Sequence, residues 1–378
     1  MIRRLLLLGA ACGVLFVSTP SVAWQSMAAQ EPPRITIGDT PACTSCRIVS
    51  TAVMRFSAPG AAEQVDVAPL ALAEDRQGRL WMAFEGEGLR IYDGRGAFLR
   101  RIGRSGQGPG EFATPDLLQP LPNDSMLVVD MMNRRATILD SQGRVARTLV
   151  ARHQLLFPLV RRWPNDVLVS ARVSTPKAAG LPLHVASFAG TEVTLSRSFA
   201  SGAASMRASD LPNAYALVAG DARGGFVSTS PVRFELTRWS APGSARQVLV
   251  RESAWFPNHS SGRIGTPTEP PSPRISAVHV DAQGRIWTFI RTASPNWKTA
   301  WSRFPVGARE TSPATFDRSR LFETTVEVID PAARQVILRQ TLGGTVYFVL
   351  EGPRVFIERE GPRGDPIFSV ERLTLRPR

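Results

Sequence analysis

IGRSGQGPGEFATPDLLQPLPNDSMLVVDMMNRRATILDSQGRVARTL, residues 102–149, is the stretch on which the reading of the whole chain turns. It opens with a glycine-rich turn from Gly103 to Phe112 and continues as three short apolar runs, each ended by turn residues. Runs this short, punctuated by Gly, Asn and Asp, read as strands rather than helices. Paler copies recur from Val65 onwards, and a repeat of this kind decides the architecture before any single residue can.

Six apolar anchors mark the copies: Leu80-Trp81, Leu127-Val128, Leu168-Val169, Phe226-Val227, Ile286-Trp287 and Val355-Phe356, each just past a tight turn. Three of those turns read Asp-x-x-Gly, at Asp75–Gly78, Asp221–Gly224 and Asp281–Gly284. Aspartate in the first place caps the turn, and glycine in the fourth accepts a positive φ. Asn123-Asp124, Asn165-Asp166 and Gly352-Pro353 stand there in the weaker copies. A second turn follows at Asp93–Gly96, Asp140–Gly143 and Asp330–Ala333, with a strand before it and another after it. Each unit is therefore a four-stranded antiparallel meander, and no stretch of useful length carries a helical period. Such sheets share one core when stacked round an axis, which predicts an all-β, six-bladed β-propeller. The last unit has only three strands of its own, around Val346–Leu350, Val355–Glu358 and Phe368–Leu375. The strand-like run after Cys46 is the natural fourth, so the ring is expected to close by an N-terminal strand pairing with the last blade.

The bulk numbers agree with one closed array rather than several domains. Of 378 residues 43% are hydrophobic, ample for a shared core. The formal charge of +13 invites a nucleic-acid reading, but only Lys177 and Lys298 are lysines, and the arginines are scattered as singles and pairs. Solvated strand ends and edge protection account for that scatter, so no nucleic-acid partner is expected. Residues 1–23 read as a signal peptide: Arg3 and Arg4, an apolar run from Leu5 to Val17, and a small-x-small site ending at Ala23. The alternative, a lipoprotein acylated on Cys12, lacks a large aliphatic residue close before the cysteine. No later stretch is long enough to span a bilayer as a helix. The expected product is secreted or periplasmic, with an extension over 24–46, a propeller over 47–378, and a monomeric state.

Cys43 and Cys46 are the only cysteines left after such a cleavage. A c-type haem site needs histidine next, and Arg47 stands there. A thioredoxin-like pair needs a helix start, whereas an extended run follows; one pair is also too few ligands for a closed zinc site. A small structural disulfide in an oxidising compartment is the reading favoured.

With these residues in view, the chain resembles the NHL-repeat type of six-bladed β-propeller, especially the secreted bacterial proteins. Gly106, Gly108, Pro109, Gly110, Glu111 and Phe112 look like its inter-blade turn, and Asp130, Asn133 and Arg135 like its blade signature. The resemblance implies structural roles for Asp130 and Arg135, bracing neighbouring blades, and no catalytic ones. Enzymes exist among six-bladed propellers, so an alternative is a metal-dependent lyase or lactone hydrolase with calcium or zinc in the central channel. Such sites need several channel histidines or a Glu/Asn/Asp set. The four histidines sit in dissimilar contexts and the inner strands are largely apolar. No catalytic residue, metal ligand or cofactor is therefore predicted.

The expected function is that of a binding scaffold for an unknown protein or glycan. Polar residues of the innermost strands come first: Gln119, Arg161, Arg162 and His279. The two long connections come second, over Trp255–Arg274 and over Thr292–Glu323 inside blade five. The latter carries Trp297, Lys298 and Trp301, suited to stacking on a sugar or on an apolar-anionic ligand. Covering a blade edge is the competing role for these aromatics.

Overall fold

The computed structural model describes residues 31–56, 63–163, 166–172, 181–199, 215–258, 265–301 and 317–377. The expected signal peptide and the start of the extension lie outside them. Six four-stranded antiparallel sheets follow one another along the chain. Blade one is Ala71–Glu74, Leu80–Ala83, Leu89–Tyr92 and Phe98–Ile102; blade two is Pro115–Pro120, Met126–Asp130, Arg135–Leu139 and Val145–Val150. Blade three comprises Gln154–Trp163, Asp166–Arg172, Leu183–Ser187 and Thr194–Phe199. Blade four comprises Leu217–Gly220, Phe226–Thr229, Glu235–Ala241 and Ser244–Val250. Blade five runs Arg274–Val280, Ile286–Ala293, Phe322–Asp330 and Gln335–Thr341. Blade six joins Thr345–Leu350, Arg354–Glu360 and Pro366–Arg376 to the N-terminal strand Arg47–Arg55, paired antiparallel from Arg47↔Arg376 to Arg55↔Ser369. The first strand of every blade approaches the first strand of the next, and that of blade six approaches that of blade one. The fold is a six-bladed β-propeller.

All six apolar anchors lie in the second strands, and the packing explains why those strands are hydrophobic on both faces. Leu80 and Met82 join the cluster shared with blade six, while Trp81 and Ala83 join the one shared with blade two. Met126 and Val128 face blade one; Leu127 and Val129 face blade three. The same division repeats round the ring, so each of six apolar clusters belongs to two adjacent blades. A strand of period two buried on both sides shows no alternation. The outer strands do alternate or open to solvent, as in Phe98–Ile102 and Val145–Val150.

The turn chemistry is local and repeated. Asp75 accepts from the backbone N–H of Gln77 and Arg79, from Arg79 Nε at 2.6 Å and from Trp81 Nε1 at 2.8 Å. Asp281 does the same with Gln283, Arg285 and Trp287. Gly78 and Gly284, which close these turns, sit at φ 75° and 77°. The turn thus fixes its own shape and ties down the tryptophan that enters the next interface.

The N-terminal extension is a strap along the outer edges. Arg34–Thr36 adds a parallel fifth strand to blade four, Ala42 and Cys43 donate to Val336 and Ile337 carbonyls of blade five, and the Cys43–Cys46 disulfide precedes the blade-six strand. Asp39 anchors it. It accepts from Ser253 Oγ at 2.9 Å and Arg339 at 2.7 Å, and lies 3.5 Å from Arg251, whose guanidinium is forked onto fully buried Glu327. Edges that would otherwise offer unpaired backbone groups are covered in this way.

Candidate functional site

In a meander blade the first strand begins and the second strand ends at the same end of the sheet. Tyr215, just before blade four, Arg274 at the start of blade five and Tyr347 near the start of blade six therefore gather with Arg291 and Glu358, near the ends of second strands. Arg274 and Arg291 are direct cross-strand partners. Arg274 donates to the Tyr215 hydroxyl, and Tyr347 donates to Glu358 Oε2 at 2.6 Å. The Arg291 guanidinium lies 5.1 Å from the Phe322 ring centre and 5.8 Å from that of Tyr347. Its Nε is sealed from solvent and has no hydrogen-bond acceptor among the described residues.

The electrostatics follow from burial. Desolvation pulls the Arg291 pKa below the usual arginine value, and the like charges of Arg274 and Arg318 add to it. Burial raises the Tyr215 and Tyr347 phenols, the latter also through Glu358. Burial raises the Glu358 carboxyl too, against the hydrogen bond from Tyr347. Opposed like charges on adjacent strands destabilise a sheet, and buried charges are ordinarily paired. Among the described residues neither Arg274 nor Arg291 has a carboxylate at ion-pair distance. The arrangement is a cluster of cations and aromatic rings with the chemistry to attract an anion.

The insertion of blade five leaves from the same end. It is shorter than the sequence suggests, because the strands continue through Ala293 and resume at Phe322, with Thr292 paired to Glu323. Trp297 and Trp301 pack with Ala300, Leu321 and Phe322 into a small core of their own. They cap the end of the blade rather than stand free, while Lys298 is exposed beside Trp297. His279 is elsewhere: it pairs with Trp287, six residues before the strand end at Ala293, which at ~3.3 Å per residue puts it roughly 20 Å away. Its Nε2 is buried without a hydrogen-bond partner among the described residues, and burial lowers its pKa. The structure therefore does not bring His279 together with Trp297, Lys298 and Trp301. Arg161 and Arg162 belong to the first strand of blade three, with side chains outside the described residues. Gln119 donates to the Pro120 carbonyl.

The inter-blade motif is held by hydrogen bonds. Asp130, buried, accepts from the backbone of Ala113 and Thr114 at 2.8 and 3.1 Å and from Asn133 Nδ2 at 2.8 Å. Asn133 reaches the Gly106 carbonyl, and Arg135 reaches those of Gln107 and Glu111. A Cβ on Gly103 would lie 2.4 Å from the Gly110 carbonyl oxygen and against the Phe112 ring. Nearby Asp116 is pushed up to about 6, chiefly by burial and then by Asp130 and Glu85. Among the described residues no three His, Cys, Asp or Glu side chains are grouped to hold a metal, and no helix is long and apolar enough to cross a membrane.

Sequence reasoning missed Arg274, Arg291, Tyr215 and Tyr347. Arg274 was visible only as the last residue of a long connection, and nothing local marks Arg291 as its partner, since strand register alone opposes them.

No family model matches the chain, and no curated protein matches it in sequence. Among solved structures, it is similar to a member of the DUF4221 family from Bacteroides vulgatus, with a TM-score of 0.61 and 12% identity over 88% of this chain and 99% of that one. A Bacteroides fragilis protein proposed to be exported gives a TM-score of 0.54 and 9% identity over 90% of this chain and 99% of that one. At these identities they share the fold alone.

Proposed function

We propose that this protein is an exported β-propeller of the NHL-like type that binds a ligand or partner at the end of the ring where the blade-five insertion emerges. The observation that carries the reading is the half-buried Arg274–Arg291 pair, which has no carboxylate at ion-pair distance among the described residues and which a purely structural sheet has no reason to keep. The resemblance of the inter-blade turn and the proposed export of one structural neighbour support the cellular address. Cleavage after Ala23 is the expected processing; mass spectrometry of the mature N-terminus should find Trp24, and a diacylglyceryl Cys12 would replace this reading with a lipoprotein. The binding reading is tested by protein and glycan arrays probed with the whole protein and with a variant in which 295–317 is replaced by a short turn. Interactions should be lost from the variant. If every detected interaction survives, the binding end has been misplaced.

A further inference from the structure

We infer that the Arg274–Arg291 pair is a receptor for a carboxylate carried on an apolar or aromatic body, which rests on reading this end of the ring as the binding end. A contrast within the molecule carries the inference. Several enclosed arginines of this fold are supplied with an acid: Arg251 has Glu327 at 2.7 Å, Arg359 has Glu371 at 2.7 Å, Arg90 has Glu87 at 2.7 Å and Arg354 has Glu74 at 2.5 Å, while Arg135 is held by the carbonyls of Gln107 and Glu111. Arg274 and Arg291 differ together: they stand directly opposite each other, with a phenol and two rings as neighbours and no carboxylate at ion-pair distance among the described residues. Two opposed cations, one with a sealed Nε that has no acceptor among the described residues, lower stability unless an anion completes them.

The chemistry of the cluster narrows the class. A guanidinium presents a planar fork that matches the two oxygens of a carboxylate. Phe322 and Tyr347 flank Arg291 and offer apolar surface to whatever carries that group. Glu358, buried and hydrogen-bonded by Tyr347, and Asp317 set negative charge near Arg291, with the cation of Arg318 beside them. A monoanion meets less repulsion from them than a doubly charged phosphate does.

The test titrates the full chain calorimetrically with phenylacetate and hexanoate, with inorganic phosphate and neutral benzyl alcohol as the contrasting probes. The two carboxylates should bind saturably and compete with each other, and phosphate and benzyl alcohol should bind at least tenfold more weakly. Arg274→Met and Arg291→Met should each weaken carboxylate binding on the order of 10-fold or more, the worth of one charge-assisted bond. Arg291→Lys, keeping the charge but not the fork, should fall between. Without ligand, Arg291→Met should melt no lower than the parent, because an unpaired charge has been replaced by apolar surface. A lower melting temperature would mean the arginine is structural and would overturn the proposal. Glu310→Gln, which removes the one acid of 302–316, should leave carboxylate affinity unchanged; a gain would overturn the proposal by showing that the chain supplies the anion itself. Tighter phosphate binding overturns the ligand class, and no saturable anion binding overturns the site. Neither result touches array interactions that depend on 295–317, so the two readings fail separately.

Discussion

Replacing Glu327 with alanine should cost the protein about 3–5 kcal/mol, the usual penalty for removing one partner of a buried ion pair. Glu327 is fully buried and accepts from Arg251 at 2.9 and 2.7 Å and from Arg339 Nε at 2.7 Å. Three charge-assisted bonds at about 1.5–3 kcal/mol each set a ceiling above that figure. Asp39 lowers it, because it stays 2.7 Å from Arg339 and 3.5 Å from Arg251 and keeps part of their compensation. Glu327→Gln, which preserves shape and one acceptor, should lose less. The informative variant is Arg251→Met with Glu327→Met. It removes both buried charges, leaves the Arg339–Asp39 pair intact and lets methionine pack against Phe234, over which the Arg251 guanidinium now lies at 3.7 Å. The double variant should therefore be more stable than Glu327→Ala alone. Urea denaturation followed by tryptophan fluorescence reads all three, with the transition slope checked for departure from two-state behaviour. A double variant no more stable than Glu327→Ala would refute the reasoning, since it would mean that the Arg251 charge left without its partner costs nothing.

Three further outcomes follow from the same structure. The Asp116 carboxyl titrates near 6 in the folded state against an ordinary value near 3.8, so the fold loses stability as pH rises between those values. Asp116→Asn should therefore gain on the parent across that window and hold the gain above it, on the order of 1–2 kcal/mol once partial solvent exposure is allowed for; equal differences at pH 4 and pH 7 would contradict this. His184 is buried against Ser198 Oγ and the Ala171 carbonyl, and burial depresses its pKa, so the folded state holds it neutral while the unfolded chain protonates below about 6.5. Its contribution is present above that value and lost as pH falls, and His184→Gln should flatten the acid limb of a stability–pH curve. Asp130→Ala orphans the N–H groups of Ala113 and Thr114 and frees Asn133, and should cost about 3 kcal/mol by denaturant titration, whereas Asp140→Ala, at an exposed turn, should cost about 1 kcal/mol or less.

What could be read from the chain alone was whatever is encoded within a few consecutive residues. Asp75 reaches no further than Trp81 in its own turn and strand, so the Asp-x-x-Gly signal carries its structure with it. Second strands buried on both faces need unbroken apolar runs, which made all six anchors visible and with them the number of blades. The Cys43–Cys46 pair, three residues apart, belongs to the same class of local signal. Tertiary structure alone decided the rest. Arg274 opposes Arg291 only because a bulge between Ile275 and Ala277 sets the register of two strands, and Tyr347 joins them from another blade. Trp297 and Trp301, prominent in sequence, turned inward because a short insertion must bury some apolar surface of its own to hold a shape. Asp39 finds Arg339 three hundred residues away because the strap runs along blades four and five before its strand enters blade six. Turn chemistry and burial pattern are properties of short segments, whereas the meeting of charges depends on register and on how sheets stack. That is why the propeller was legible in the sequence and its opposed arginine pair was not.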